Sequence, residues 1–168
     1  MTDRPPNPET APLAPEALPP EALALDRQLC FAVYSAAHAF NRTYKPLLDP
    51  YGLTYPQYLV LLSLWEEDAR TVKALGATLG LDSGTLSPLL KRLEASGHIR
   101  RARDRADERQ VIVTLTAKGR AMQDEAGAIR REIGRASGCS LAALEDLNAA
   151  LQRLTASLRA GHEAEAGP

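Results

Sequence analysis

The sequence predicts a mostly helical fold that contains one small β-hairpin, and three observations support this prediction. Apolar residues recur at helical spacing through most of residues 25–160. The spacing of apolar residues changes between residues 99 and 114, where two short segments show the apolar–polar alternation of β-strands on either side of a polar link. The chain has 168 residues, of which 45% are hydrophobic and 24% charged, and this composition fits one soluble globular domain.

The first four predicted helices are delimited by candidate caps, prolines and glycines. An apolar stripe with helical spacing marks the first helix, which has Asp26 as its candidate cap and Pro46 and Pro50 at its end. Its members are Leu25, Leu29, Val33, Ala36, Phe40 and Leu47. The second helix is predicted to start near Thr54, and Thr71 is the candidate cap of the third helix. The residues Gly80–Asp82 then predict a tight turn into a fourth helix, which carries four core leucines and stops at Gly97.

The hairpin and two further helices complete the predicted fold. The strands are Ile99–Arg103 and Gln110–Thr114, joined by the polar link Asp104–Arg109. Thr116 is the candidate cap of a long helix, and Ser140 is that of the last one. Leucines of the last helix are spaced three or four residues apart, as in a coiled coil. They stand at positions 141, 144, 147, 151, 154 and 158.

The charge distribution singles out one basic segment. The whole chain has a formal net charge of −1, but residues 84–120 hold nine Lys and Arg against four Asp and Glu. A local excess of positive charge attracts phosphate even when the whole protein is slightly acidic. The sequence therefore indicates a polyanionic partner for this segment.

Two short helices joined by a tight turn and followed by a basic hairpin predict a winged helix-turn-helix that binds double-stranded DNA. The fourth helix offers small hydroxyls and cations to a major groove, and the hairpin offers arginines to a minor groove. The candidate contacts of the helix are Ser83, Thr85, Ser87, Lys91 and Arg92. Those of the hairpin are Arg100, Arg101, Arg103, Arg105 and Arg109. The alternative is that these charges form only a solvated face.

The outer helices predict a homodimer. A single copy would leave the leucine row of the last helix uncovered, whereas pairing both terminal helices with a second copy buries it. A two-fold dimer presents two recognition helices to a pseudo-palindromic operator. Residues 25–50 and 116–160 are thus expected to be dimerisation helices, and residues 54–115 the DNA-binding lobe, of one domain spanning 25–160.

The two ends of the chain are expected to lie outside this domain. Seven of the twelve prolines fall in the first 20 residues, so residues 1–24 are predicted to be a disordered extension. Residues 161–168 lack a pattern and are predicted to be a flexible tail. The N-terminus shows neither a secretory signal nor an apolar span, so a cytoplasmic protein without membrane contact is expected.

Cys30 is the candidate reactive residue of the first helix. If Asp26 caps that helix, Cys30 lies in its first turn, where the helix dipole favours a thiolate. Tyr34 lies four residues on, on the same face, and Tyr55 is a further candidate donor. Tyr44 would lie about 21 Å along a continuous helix, at about 1.5 Å per residue, so it can approach a cysteine only across a dimer interface. The alternative is a small buried hydrophobe.

The hairpin segment DERQVIVTLTAKG resembles the wing signature of the MarR family of transcriptional regulators. The resemblance covers about residues 25–160 and implies the winged-helix dimer. It also implies that Arg109 meets the minor groove and that Asp107 steadies the wing.

Three further segments resemble the organic hydroperoxide resistance regulators (OhrR), a subfamily of MarR. They are LDRQLCFAVYSA, LTYPQYLVLL and LDSGTLSPLLKRLEASG. This resemblance implies that Cys30 is the peroxide sensor, that Tyr44 and Tyr55 bond it, and that organic hydroperoxides are the inducers. It also implies that Cys139 of the second subunit resolves the oxidised Cys30 as a disulfide, unless Cys139 is an incidental loop cysteine.

Three other functions stay open at this point. The chain could be a MarR-type regulator that responds to a phenolic or other small ligand, with Cys30 inert. It could be a thiol peroxidase, although neither a CxxC motif nor a βαβ alternation supports an enzyme. It could also be a helical interaction module that never touches DNA. Scattered histidines and the absence of a glycine-rich phosphate loop predict no metal and no cofactor.

Overall fold

A computed structural model describes residues 20–165. Most of the predicted N-terminal extension and the last three residues of the predicted tail lie outside this range, and those two assignments stay predictions. The chain divides into two compact units, residues 1–40 and residues 41–168, which are described separately below.

From residue 20 onwards, the first unit forms two short 3-10 turns and the beginning of helix α1 (Leu29–Leu48). The prediction that Asp26 caps this helix is wrong, because Asp26 lies inside the 3-10 turn Leu25–Arg27. Gln28 precedes the helix instead: its carbonyl accepts the N–H of Ala32 at 3.1 Å, and its side chain donates to Ala22 O at 2.7 Å. Cys30 is nevertheless the second residue of α1, within its first turn.

The second unit begins with the end of α1, which continues past the predicted stop at Pro46 and reaches Leu48. Proline lacks the N–H that would bond the carbonyl four residues earlier, so it weakens the helix there without ending it. The predicted stop at Pro50 is closer, since Pro50 lies in the 3-10 turn Asp49–Tyr51 and Gly52 follows in the left-handed region at φ 65°.

The next two helices begin where the sequence predicts, the second near Thr54 and the third at its predicted cap Thr71. Thr54 and Gln57 form a capping box at helix α2 (Tyr55–Glu66), in which the N–H of Thr54 donates to Gln57 Oε1 at 2.8 Å. Thr71 Oγ1 accepts the N–H of Ala74 at 3.0 Å at the start of helix α3 (Val72–Leu79). Between them lies a strand that the sequence analysis missed, β1 (Arg70–Thr71).

The predicted hairpin is present as strands β2 (Ile99–Arg103) and β3 (Val111–Leu115), which follow helix α4 (Ser83–Ala95). β3 is the central strand of an antiparallel sheet in the order β1-β3-β2. Ile99 pairs with Leu115 on one side of it, and Arg70 pairs with Val113 on the other. β1 therefore anchors the wing to the helical part of the unit.

The predicted single long helix after Thr116 is divided into α5 (Ala117–Ala121) and α6 (Gln123–Ser137). Trp65 Nε1 donates to the carbonyl of Gly119 at 2.9 Å, and this carbonyl would accept the N–H of Gln123 in a continuous helix. A Cβ at Gly119 would also clash with the His98 carbonyl. α5 is thus held on the sheet, and the helical hydrogen-bond ladder is interrupted at Met122.

The last helix is α7 (Leu141–Glu165), and the hydroxyl of its predicted cap Ser140 accepts the N–H of Ala143 at 3.2 Å. Four leucines of its predicted coiled-coil row are exposed, as expected for one copy of a dimer described alone. They are Leu141, Leu147, Leu151 and Leu158. Leu25, Leu29 and Val33 are exposed in the first unit. None of the helices in residues 20–165 is long and apolar enough to span a membrane.

The core of the second unit joins α2, α3 and α4 to the sheet. Its fully buried side chains are Leu48, Val60, Leu61, Leu64, Leu75, Leu86, Leu90, Leu93, His98, Ile99 and Val113. The buried face of α4 carries its four leucines, which leaves the opposite face in solvent. The core therefore fixes the orientation of the predicted recognition helix.

Candidate redox site and DNA-binding surface

Cys30 is a free, exposed thiol in the first turn of α1. Tyr34, one turn further on, is also exposed, and its ring lies 4.3 Å from that of His38 and 6.5 Å from that of Phe31. No hydrogen bond joins the Tyr34 hydroxyl to Cys30 within the described residues. The structure thus places Tyr34 in an aromatic row along α1, with no bond to the Cys30 thiol in the described residues.

Tyr44 and Tyr55, the two other predicted thiolate donors, lie together in the second unit. Their ring centroids are 4.3 Å apart in a stacked arrangement, and Tyr58 lies 5.8 Å from Tyr44. Burial, together with the neighbouring phenols of Tyr55 and Tyr58, raises the pKa of Tyr44 to about 12. Burial also raises the pKa of Tyr55 and Tyr58. All three phenols therefore keep their protons at neutral pH and can donate hydrogen bonds.

Tyr58 belongs to this aromatic cluster although the sequence analysis did not single it out. It is 3% exposed, and its ring packs edge-on against Trp65 at 5.8 Å. The available signal was its spacing of three residues from Tyr55 on one helix. A cavity of about 580 Å³ opens beside the cluster, lined by Tyr44, Tyr58, Leu62, Trp65 and Arg130 among others.

Cys139 is a free, exposed thiol in the loop between α6 and α7, as predicted from its small neighbours. Its thiol lies 3.4 Å from the carbonyl of Ser137, and its backbone N–H donates to Ser137 Oγ at 3.3 Å. The side chain is thus held at a loop surface where a second thiol can reach it.

Helix α4 presents the predicted base-contacting residues on its solvent face. Asp82 caps the helix, and its carboxylate accepts the N–H and the hydroxyl of Thr85, each at 2.9 Å. These bonds lower the pKa of Asp82. The exposed residues of this face are Ser83, Thr85, Ser87, Lys91 and Arg92. Pro88 lies inside the helix on the same side, so the helix extends through it.

The wing places its predicted arginines around a turn that Asp107 stabilises. The Asp107 carboxylate accepts the N–H of Arg109 and the side-chain amide of Gln110, each at 3.1 Å. The Arg109 side chain is 96% exposed, and its Nε lies 3.9 Å from Asp107. Arg103 and Arg105 are exposed as well. The wing thus carries exposed cations around a hydrogen-bonded turn.

Two carboxylates that the sequence analysis did not single out hold the recognition helix, the wing and α5 in place. Glu94 of α4 accepts the N–H of Arg101 and pairs with its guanidinium at 2.8 Å, and both interactions lower the pKa of Glu94. Arg101, predicted as a DNA contact, is therefore half-buried against the recognition helix. No local sequence pattern signals this pair, since its members lie seven residues apart in different elements.

Asp68, in the turn between α2 and β1, connects the wing to α5. Burial alone would raise the pKa of Asp68, but bonds from the N–H groups of Leu115 and Ala69 and from Arg120 lower it overall. The Leu115 N–H donates at 2.9 Å and Arg120 Nη1 at 2.6 Å. The backbone at Ala69 is left-handed at φ 60°, which a non-glycine residue adopts at a cost.

His98 makes the stability of the fold depend on pH. Burial, and to a smaller extent the Lys118 ammonium, lowers the pKa of His98 below its ordinary 6.5. The unfolded chain therefore binds a proton more readily, so the free energy of unfolding should fall as the pH drops below about 6.5. Urea unfolding at a series of pH values from about 8 to about 5 measures this slope. H98N should flatten it, and the exposed-imidazole control H38N should not; an unchanged slope in H98N would contradict the assignment.

Comparisons with known proteins agree with this geometry. The family of SarA/Rot transcriptional regulators matches residues 42–126. The chain is 56% identical over 144 residues to the HTH-type transcriptional regulator TtmR of Methylorubrum extorquens, covering 86% of this chain and 72% of that protein. It is 45% identical over 136 residues to the organic hydroperoxide resistance transcriptional regulator of Bacillus subtilis, covering 81% and 92%.

Solved structures of AbfR of Staphylococcus epidermidis share the fold. Reduced AbfR bound to DNA has a TM-score of 0.70 at 38% identity, over 83% of this chain and 96% of that one. A disulfide-formed AbfR has a TM-score of 0.57 at 42% identity, over 80% and 95%. The predicted mostly helical winged-helix fold and the MarR resemblance are both confirmed. The chain belongs to the SarA/Rot and MarR-type family of winged-helix transcriptional regulators.

Proposed function

We propose that this chain is a homodimeric repressor that releases a pseudo-palindromic operator when an organic hydroperoxide oxidises Cys30. The observation that carries the proposal is the free, exposed thiol in the first turn of α1. The similarity to the Bacillus subtilis hydroperoxide regulator and to AbfR in reduced and disulfide forms supports it.

The oxidation begins with attack of the Cys30 thiolate on the terminal oxygen of the hydroperoxide. The O–O bond breaks, the sulfur becomes a sulfenic acid, and the alkoxide leaves as an alcohol after taking up a proton. Phenols of Tyr44 and Tyr55 of the second subunit, which keep their protons, are suited to donate hydrogen bonds to the thiolate across the dimer interface.

The second step is a condensation with Cys139 of the second subunit. The thiol attacks the sulfenic sulfur, water leaves, and an intersubunit disulfide forms. The disulfide moves the terminal helices, and the two recognition helices lose their half-site spacing. Cellular thiols reduce the disulfide and restore the repressor. The chain thus consumes peroxide once per switch, as a sensor rather than as a peroxidase enzyme.

A direct test measures operator binding before and after oxidation. A duplex selected from random DNA by the reduced protein is labelled, and binding is followed by fluorescence anisotropy with and without cumene hydroperoxide. We expect tight binding by the reduced protein, release on oxidation, and recovery with dithiothreitol. Release that dithiothreitol cannot reverse, or binding unaffected by the peroxide, would contradict the proposal.

Cys139→Ala should prevent the intersubunit crosslink. Because this variant keeps Cys30, its sulfenic acid should still form but find no resolving thiol. Non-reducing gels of peroxide-treated protein should show a dimer band for the wild type and only monomer for the variant. A crosslinked dimer in Cys139→Ala would show that another residue resolves the oxidised cysteine.

A second candidate function is supported by the cavity beside Tyr44 and Tyr58. Its volume of about 580 Å³ and its aromatic walls suit a phenolic or other small ligand. In that case Cys30 would be inert, and a phenolic compound alone would release the operator from protein whose thiols are blocked. Peroxide would then have no effect, so the two functions give opposite results in one assay.

A further inference from the structure

The end of the wing's central strand, β3, is held by side chains where a neighbouring strand would otherwise pair with it. In the register of β1 and β3, Arg70 pairs with Val113. Continuing that register by two residues sets Asp68 opposite Leu115. β1 does not extend so far, and the backbone at Ala69 is left-handed at φ 60°. The two main-chain groups that Leu115 turns towards β1 therefore need other partners.

An ion pair supplies both of these partners. The carboxylate of Asp68 accepts the N–H of Leu115 at 2.9 Å, and Arg120 Nη2 donates to the Leu115 carbonyl at 3.1 Å. The two side chains also bond to each other, with Arg120 Nη1 lying 2.6 Å from Asp68 Oδ2. Together they make the two bonds that one residue of an antiparallel strand would exchange with Leu115. The sheet is thus extended by side chains at the base of the wing.

The members of this Asp68–Arg120 pair belong to two different elements. Asp68 lies in the turn after α2, and Arg120 lies on α5, which leads into α6. The pair therefore ties the end of β3 to both elements at once. Its side chains are 28% and 59% exposed, and an ion pair that is so exposed contributes little to the free energy of unfolding. Its main effect is thus on where the end of β3 lies.

The length of the wing makes its tip sensitive to the position of this base. β3 has five residues, which at about 3.4 Å each span about 17 Å. A tilt of about 10° at Leu115 would therefore move the tip by roughly 3 Å, which is as long as a hydrogen bond. Arginines at the tip would lose their contacts with the DNA after such a displacement.

We infer that Asp68 and Arg120 are positioning residues for the contact of the wing with DNA. They hold Leu115, and through it the hairpin, in the orientation in which Arg105 and Arg109 reach the minor groove. This role needs no contact of either side chain with the DNA itself. The inference rests on the proposed DNA contact of the wing and does not involve the oxidation of a thiol.

A double-mutant cycle on the reduced full-length protein tests this inference, with operator affinity measured by fluorescence anisotropy on the selected duplex. Asp68→Asn removes the charge that holds Arg120, and Arg120→Met keeps the aliphatic stem without the guanidinium. Each substitution is made in the wild type and in the wing-tip double variant, in which Arg105 and Arg109 are replaced with alanine. Glu67→Gln is the matched control, because it removes the same charge from the neighbouring side chain, which is 76% exposed.

Asp68→Asn and Arg120→Met should each weaken operator binding at least about threefold in the wild type and leave it unchanged in the wing-tip double variant. This threshold is below the loss of about tenfold or more expected for the wing-tip arginines themselves, since a displaced wing keeps its charges. Loss of a negative charge alone favours binding to a polyanion, so weakening by Asp68→Asn is opposite in sign to a general electrostatic effect. Glu67→Gln should accordingly bind the operator as tightly as the wild type or more tightly.

Either of two results would overturn the inference. One is operator binding by Asp68→Asn as tight as by Glu67→Gln. The other is an equal loss in the wild type and in the wing-tip double variant, which would mean that the pair does not act through the wing. A wing-tip double variant that itself binds like the wild type would refute the proposed wing contact, and the positioning role with it. Circular dichroism and urea unfolding check that the variants fold; if Asp68→Asn does not, the more exposed Arg120→Met decides by the same comparison.

Discussion

Replacing Cys30 with serine should leave operator binding by the untreated protein unchanged and abolish its release by cumene hydroperoxide. Serine matches the size of cysteine, and position 30 is exposed, so neither the fold nor α4 should be disturbed. In the wild type, a shift that leaves about 1% of the protein competent for DNA lowers the apparent affinity about 100-fold. Anisotropy titrations of both proteins before and after peroxide measure the difference.

The matched control is Cys139→Ser, which removes the other exposed thiol. On treatment with peroxide it should still form the Cys30 sulfenic acid, but without the resolving thiol it should not form the disulfide that releases the DNA. Release from Cys30→Ser as complete as from the wild type would exclude Cys30 as the sensor. Loss of the response in Cys139→Ser alone would transfer the sensing role to the loop between α6 and α7.

The double substitution of Arg105 and Arg109 with alanine should weaken operator binding strongly. Both residues lie on the exposed tip of the wing, and the Arg109 pair with Asp107 is too exposed to stabilise the fold appreciably. Loss of a specific arginine contact costs about 1–3 kcal/mol, so the pair should cost at least about tenfold in affinity. Each lost phosphate neutralisation should also reduce the salt slope by about 0.9.

Arg153→Ala is the control for this experiment, since it removes an exposed arginine from α7, away from the wing. It should change neither the affinity nor the salt slope. Titrations at four or five salt concentrations give both quantities for the wild type and the variants. An unchanged slope in the Arg105 and Arg109 double variant would mean that the wing tip does not approach the DNA backbone.

Local chemistry made most helix starts predictable. The hydroxyl of a threonine that precedes a helical pattern of apolar residues can accept a hydrogen bond from the N–H three residues later. Thr71 and Thr116 do so, and Thr54 takes part in a capping box. Asp26 offered the same local signal but lies inside a 3-10 turn, where Gln28 bonds Ala22. A local cap signal cannot reveal that such a competing turn precedes the helix.

The features that escaped prediction depend on partners distant in the sequence. β1 is two residues long and exists because Arg70 and Thr71 pair with β3, more than 40 positions later. The interruption at Met122 follows from the bond that Trp65 makes to Gly119. The candidate site shows the same division: the exposed Cys139 and the wing arginines follow from residue type and spacing, whereas the roles of Glu94 and Asp68 emerge only from the tertiary structure.

One sulfur atom is proposed to be responsible for the response to oxidant, and mass spectrometry tests this most directly. The reduced protein on labelled operator DNA is treated with one equivalent of cumene hydroperoxide, DNA release is measured, and the remaining free thiols of the same sample are then alkylated before the peptide masses are read. We expect Cys30 to be the first residue modified, with a modified fraction equal to the fraction of DNA released. Release of the DNA while Cys30 is still a thiol would contradict this expectation.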